Sequence, residues 1–177
     1  MDELDAYVPD APREHAMRAQ LRAFVAGNAA CFDRTSLAGH VTGSAWIVDR
    51  AGQFVLLLHH RKLGRWLQPG GHADGSPDVR AVALREALEE SGLRSLAPAA
   101  HDIFDLDVHA IPARGSEPAH LHYDVRFAFF GDPSETPVTS AESHAVAWVP
   151  LADVEHFDID DSVRRLVAKT ARLVPAR

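Results

Sequence analysis

Three glutamates in this chain sit closer together than a helix accommodates without help. Glu86, Glu89 and Glu90 stand at i, i+3 and i+4, so a helix through them places all three on one face. Like charges at that spacing repel by about 0.2–0.5 kcal/mol per pair at a solvated site. They also fall in the last turns before Gly92, where the helix dipole favours cations. A bound divalent cation would remove both penalties. Hard cations take carboxylate oxygens, and Mg²⁺ in phosphate chemistry combines a few of these with water and substrate oxygens. The ordinary alternative is a solvated acidic face with Arg85 paired to Glu89 at i+4. What favours chemistry is the stretch just before: Leu63–Gly75 carries Gly64, Pro69, Gly70, Gly71 and Gly75, reads as a loop, and lets backbone approach a ligand beside the acids.

The helix carrying the acids is well marked at both ends. Ser76 suits the N-cap, Pro77 the first helical position and Asp78 the positive end of the dipole, while Gly92 suits the stop, so the spacing predicts a helix over Pro77–Ser91. Ala81, Leu84 and Leu88 lie roughly opposite the acids, and Val79 and Val82 add apolar positions in its first half. Such a helix packs within the fold. Upstream, Ala11–Ala30 reads as a helix on Met17, Leu21, Phe24 and Val25. Val41–Val48 and Phe54–His60 are β-prone runs joined across Ala51-Gly52, a hairpin pattern. Downstream, Ile103–Ala110 and Leu121–Phe130 read as strands split by a turn-rich stretch with Pro112, Gly115 and Pro118. After a polar loop, Asp132–Ser143, come a short strand at Ala145–Val149 and an amphipathic helix over Asp160–Val174, with Val163, Leu166, Val167 and Leu173 apolar. This order predicts an α/β fold, a mixed sheet sandwiched between helices. We divide it into an N-terminal helical extension, 1–38, and a main domain, 39–177.

Composition narrows the classes. The chain has 177 residues, 46% of them hydrophobic, enough for one compact domain with a real core. Its net charge of −7 argues against bulk nucleic-acid binding, which needs a basic surface. The single cysteine, Cys31, cannot form an internal disulfide and fits a reducing compartment. The first twelve residues are acidic and interrupted by prolines, unlike a secretory leader, and no apolar run is long enough to span a bilayer. A cytoplasmic protein with no membrane partner is the expectation.

The acidic helix and its glycine loop together resemble the Nudix box. The pattern is Gly, five residues, Glu, seven residues, Arg-Glu, an apolar residue, any residue, Glu-Glu, any residue, Gly, an apolar residue. Gly71 opens it here, and Arg85-Glu86-Ala87-Leu88-Glu89-Glu90-Ser91-Gly92-Leu93 fills its second half at the right spacing. One position departs: Pro77 stands where the family has its first Glu, a residue that mostly braces the loop–helix junction, and Asp78 is a partial substitute. The resemblance implies a Nudix-type (MutT-like) α/β/α sandwich that hydrolyses a phosphoanhydride bond with Mg²⁺ or Mn²⁺. It implies metal ligands at Glu86, Glu89, Glu90 and the Gly70 carbonyl. Glu86 would also orient or deprotonate the attacking water, and Arg85 would hold a cluster carboxylate. Glu142, ahead of Trp148-Val149-Pro150, matches the extra acid that members carry on a later loop. The partner implied is a small molecule bearing a diphosphate linked to another group, such as a nucleoside. Two other classes stay open. An isopentenyl-diphosphate-isomerase-like enzyme shares the fold, but expects a cysteine in the early core region, where Cys31 lies too far upstream. A non-catalytic nucleotide-binding module would keep the fold without turnover. The N-terminal helix is a candidate contact for a homodimer.

Further residues suit substrate contact. Arg61, Lys62 and Arg65 follow His59-His60 into the glycine loop and fit either a phosphate grip or an ordinary basic loop. Trp66 fits base stacking or, more simply, core packing. Gly71 and His72 are plausible loop contacts. His120, His122 and Asp124 alternate along one strand, as do Asp105, Asp107 and His109 along the one before. If the strands pair, these residues make a patch suited to a second metal, to a substrate phosphate, or simply to a solvated sheet face. His40 and Cys31 have weaker claims.

Overall fold

A computed structural model describes residues 2–115 and 118–174. Met1 and two residues of the turn-rich stretch, 116 and 117, lie outside it, as does the end of the chain from 175. Its spine is β1 (Gly39–Val48), a ten-residue strand buried throughout. β1 runs parallel to β7 (His120–Phe130) over its whole length, from Gly39↔Leu121 to Val48↔Phe130. β7 pairs antiparallel with β6 (Asp105–Ile111) and, at its far end, with the two-residue β5 (Ala97–Pro98).

The other edge of β1 is shared between two partners. β2 (Phe54–His60) pairs with it antiparallel, registered at Val48↔Val55 beside the connecting turn. β2 also pairs along its length with β8 (Ser143–Pro150). The expected hairpin therefore forms at its base while its arms splay. The freed edge of β1 is taken by β4 (Gly70–His72), with Thr42↔His72, Gly43↔Gly71 and Ser44↔Gly70 in register. β3 (Trp66–Leu67) extends β2. Sequence reading assigns all of Leu63–Gly75 to a loop, and here it is corrected. Strands of two and three residues carry no periodicity to read, and three pairs, two of them glycine-bearing, hold β4 flat against β1.

Helices cover both faces of this mixed sheet, and each side closes over its own apolar cluster. On one side α3 (Val79–Ser91) lays Ala83 and Ala87 against Val41, Ala45, Ile47 and Phe127. The approach is close: a Cβ on Gly43 would fall 2.7 Å from the Val79 carbonyl oxygen. The short α1 (Asp2–Ala6) and α2 (Pro12–Gly27) add Leu4 and Leu21 to the same core, and Phe24 stacks on Tyr123 at 4.0 Å. On the other side α4 (Asp161–Lys169) packs Val163 and Leu166 on Trp46, Val48, Val55 and Leu57. A 3₁₀ turn, Thr170–Arg172, replaces the last turn of the longer helix expected there. No helix among the described residues is long and apolar enough to cross a membrane.

α3 departs from expectation at its start and in its facing. Its N-cap is Asp78, whose side chain accepts from the Ala81 N–H at 3.0 Å, two residues beyond the expected Ser76. Ser76 instead closes a turn onto the Ala73 carbonyl, and Pro77 lies outside the helix. The stop is as expected: Gly92 takes the left-handed conformation at φ +67° and donates to the Leu88 carbonyl at 2.9 Å. The buried stripe is Val82, Ala83, Ala87, Glu90 and Ser91, with Ala81 exposed and Leu84 and Leu88 at the margin. Small residues let α3 approach the sheet, and that rotation carries Glu90 inward.

Candidate active site

Glu90 and Glu86 hang from α3 over β4. Glu90 is 6% exposed, and its Oε2 accepts from the Gly70 N–H at 2.9 Å. Glu86 lies directly over Gly71, where a Cβ would fall 2.6 Å from both carboxylate oxygens, so glycine is required there by space. Glu89 faces solvent, 3.9 Å from Arg85. Arg85 makes its close pair with Glu86, Nη2 to Oε1 at 2.8 Å, and also donates to the His72 carbonyl at 3.3 Å. It thereby ties the acid to the strand beneath.

The field here is strongly negative. Burial raises the Glu90 carboxyl to about 7, helped by Glu86, Glu142 and Glu89 and opposed by the Gly70 N–H. Burial also raises Glu86; Arg85 pulls it down, while Glu89, Glu142 and Asp74 push it up. Glu142 therefore lies within electrostatic reach of both, although it comes from the loop before β8. That loop is braced by Arg61, whose Nε and Nη2 donate to the carbonyls of Ala141 (3.1 Å) and Ser143 (3.0 Å). Lys62 and Arg65 are exposed on the turn that follows β2. Trp66 is half-buried, edge-on to Phe157 at 5.1 Å, in the packing role.

Arg34 is a neighbour that sequence reading missed. It forms a forked pair with Asp74 at 2.5 and 2.6 Å and feels both Glu86 and Glu142. No motif marks it, because its loop meets the box only through the fold. Together with the Asp78 cap and the Arg85–His72 contact, this pair braces the loop–helix junction that Pro77 leaves unbraced.

The histidines gather on the opposite face. Gly43 and Gly71 face α3, so by strand alternation His40, His72 and His122 point the other way. β6 and β7 do pair, with His109↔His122 and Asp107↔Asp124 in register. Ring centroids of His40, His72 and His122 lie 4.7–5.2 Å apart, and His120 stands 4.9 Å from His40 and 5.1 Å from His122. His120 is anchored by the Pro118 carbonyl at 2.9 Å. Burial first, and the neighbouring imidazoles next, lower His40 to about 4 and His122 to about 2, so both rings are neutral near pH 7.

The acidic part of that patch is committed to neighbouring side chains, which leaves only its histidines open to a ligand. Asp124 accepts from Thr42 (2.9 Å), Ser44 (2.8 Å) and Arg126 (2.7 Å). Asp105 and Asp107 are bound by Arg165 at 2.8 and 2.9 Å. A surface cleft of about 540 Å³, lined by Arg50, Leu96, Phe130 and Pro133, lies at the far end of β1 and β7 and contains none of these residues.

Comparison with known proteins agrees with this layout. The NUDIX domain family matches residues 39–170. No curated protein matches the chain. Among solved structures, the Nudix hydrolase RenU from M. smegmatis aligns with a TM-score of 0.58 at 20% identity, covering 78% of this chain and 91% of its own. A C. elegans Ap4A hydrolase aligns at 0.53 and 21% identity, covering 75% and 95%. The NUDIX domain of Shewanella oneidensis NrtR, complexed with ADP ribose, aligns at 0.52 and 19%, covering 85% and 96%. These solved structures share the fold, and with the family match over most of its length the chain belongs to the NUDIX family.

Proposed function

We propose that this protein hydrolyses a phosphoanhydride bond in a nucleoside-diphosphate-linked small molecule, with Mg²⁺ or Mn²⁺ held on α3. The carrying observation is the pair Glu86 and Glu90, drawn out of solvent over a glycine strand, with Arg85 on Glu86 and the Gly70 N–H on Glu90 compensating them only in part. An all-oxygen donor set suits a hard cation. Glu86, Glu89, Glu90 and the Gly70 carbonyl would hold it. When bound, the ion supplies neutralisation of phosphate charge and activation of water.

The chain's own groups do the rest. Arg85 fixes Glu86 through Oε1, leaving Oε2 to orient the attacking water and take its proton. Glu142 is the second acid at the mouth of the site, carried on a loop that Arg61 steadies. Lys62 and Arg65 meet the substrate's phosphates and Gly71 lines its path, whereas His72, His120 and His122 face away across β4 and take no part. The nucleoside part of the reading draws on two proteins of like fold, one named for Ap4A hydrolysis and one solved with ADP ribose. The isomerase alternative gains nothing from Cys31, which is 3% exposed in the core with its thiol pushed up by burial.

The test is phosphate release from a panel of nucleoside-diphosphate-linked compounds with Mg²⁺, with Mn²⁺ and with chelator. Metal-dependent cleavage of any member supports the reading and begins to name the substrate. Binding without cleavage across the panel would move the weight to a non-catalytic module.

A further inference from the structure

Among the described residues, His40 has both side-chain polar atoms buried and unmet. It is 1% exposed, and neither of its ring nitrogens completes a hydrogen bond. The Ser36 carbonyl favours the ring only weakly. A buried polar side chain in that state calls for an ordered water or an ion. The Nε2 of His122, on the adjoining strand, is likewise buried without a hydrogen-bond partner.

The main chain fixes these rings in place. His40 and His122 are directly opposite on the parallel β1–β7 ladder, and the Thr42↔His72 register sets His72 diagonally beside His40. One ligand nitrogen from each of the three lies within 4.8 Å of the other two. Bound to one ion at about 2.0–2.1 Å, tetrahedral nitrogens stand about 3.3 Å apart. The gap to be closed on binding is about 1.5 Å at most, a distance within the reach of side-chain rotation.

We infer that His40, His72 and His122 form a binding site for an imidazole-preferring divalent transition cation, of the Zn²⁺ or Co²⁺ kind, with an open coordination position. Three imidazoles select such ions, whereas Mg²⁺ takes oxygen. The site is separate from the glutamate cluster and lies across β4 from it, since Gly71 faces Glu86 and His72, the next residue, faces away. An ion there clamps β4 to β1 and β7, and so steadies the strand on which Gly70 and Gly71 meet Glu90 and Glu86.

The test uses untagged full-length protein stripped with chelator, then titrated with Co²⁺ and Zn²⁺. The expected result is one equivalent of Co²⁺ with the visible absorption of nitrogen ligation, competed by Zn²⁺ and not by Mg²⁺. Zn²⁺ should raise the unfolding temperature, by an amount that grows with the logarithm of its free concentration over its Kd. His40→Ala and His72→Ala should each weaken binding by about 100-fold or more. The Glu86→Gln/Glu90→Gln double variant should retain it, which separates this site from the hydrolytic one. If His40→Ala fails to fold, the half-buried His72 supplies the variant. Selective broadening of the His40, His72 and His122 ring signals by Co²⁺ in the unaltered protein needs no variant at all. Absence of such broadening, or binding lost in the glutamate variant but kept in the histidine variants, overturns the proposal.

Discussion

Two groups of buried charge flank the same sheet and are treated in opposite ways. Where β6, β7, α4 and the N-terminal segment meet, each carboxylate has a cation. Arg126, 2% exposed, bonds Asp124 and Asp105; Arg165 bonds Asp105 and Asp107; Lys169 reaches Asp105 and Glu14, each at 2.7 Å, and Tyr7 donates to Glu14 at 2.5 Å. Burial opposes the Asp107 charge, yet His109, Arg126 and Arg165 hold that carboxyl well below the usual carboxylate range. On α3 the same sheet carries Glu86, Glu89 and Glu90, with Glu142 and Asp74 nearby, against Arg85 and Arg34 alone, and Glu90 is pushed up to about 7. Charges closed among themselves hold a fold together. Charges left in surplus are placed for something that arrives.

Breaking the closed network should therefore cost stability first. Arg126→Met leaves buried Asp124 without its cation and should lower stability by about 3–5 kcal/mol, read from urea unfolding. A loss under about 1 kcal/mol would mean that the network is not closed in the way described. Glu90→Gln should do the reverse. It removes a desolvated, mutually repelling charge, so the metal-free protein should unfold no earlier than the unaltered one, while turnover falls by about 100-fold, or about 2.7 kcal/mol of barrier. Equal loss of folding and activity would erase the contrast.

The two regions should also answer pH with opposite signs. Glu90 binds its proton more tightly folded than unfolded, so its contribution favours the metal-free fold at low pH and declines as pH rises from about 4.5 to about 7. Asp107 is depressed, so its contribution is present above the ordinary carboxylate range and is lost as pH falls below it. Thermal unfolding of Glu90→Gln and the unaltered chain across pH 4.5–8 should diverge upward, the variant gaining relative stability as pH rises. Smaller effects belong to the rim. Arg34→Ala breaks an exposed pair and should cost less than about 1 kcal/mol, with a severalfold loss of rate as the loop before α3 loosens. Pro77→Glu should change rate by less than about threefold, since Asp78, Arg34 and Arg85 already brace that junction; a large gain would mean that the natural proline weakens the enzyme.

Much of this could be read before folding was considered. The spacing of Glu86, Glu89 and Glu90, the Gly92 stop and the long apolar strands are local signals, and each forms as expected. Which acids turn inward was not legible, because the rotation of α3 is set by Ala83 and Ala87 closing on β1. β4 escaped notice because three residues give no pattern and its strand character comes wholly from β1. His40 drew little attention for a similar reason. Its company comes from the parallel register of β1 with β7, a pairing between residues 82 apart in sequence, which no local window contains.

The most direct test of the surplus-charge account is calorimetric titration of the metal-free protein with Mg²⁺ or Mn²⁺ at two pH values, repeated on Glu90→Gln. The account predicts saturable binding that weakens as pH drops below about 7 and is accompanied there by proton release, and that is lost in the variant. Binding of unchanged strength in Glu90→Gln, or none to the unaltered chain in the presence of a cleavable substrate, would contradict it.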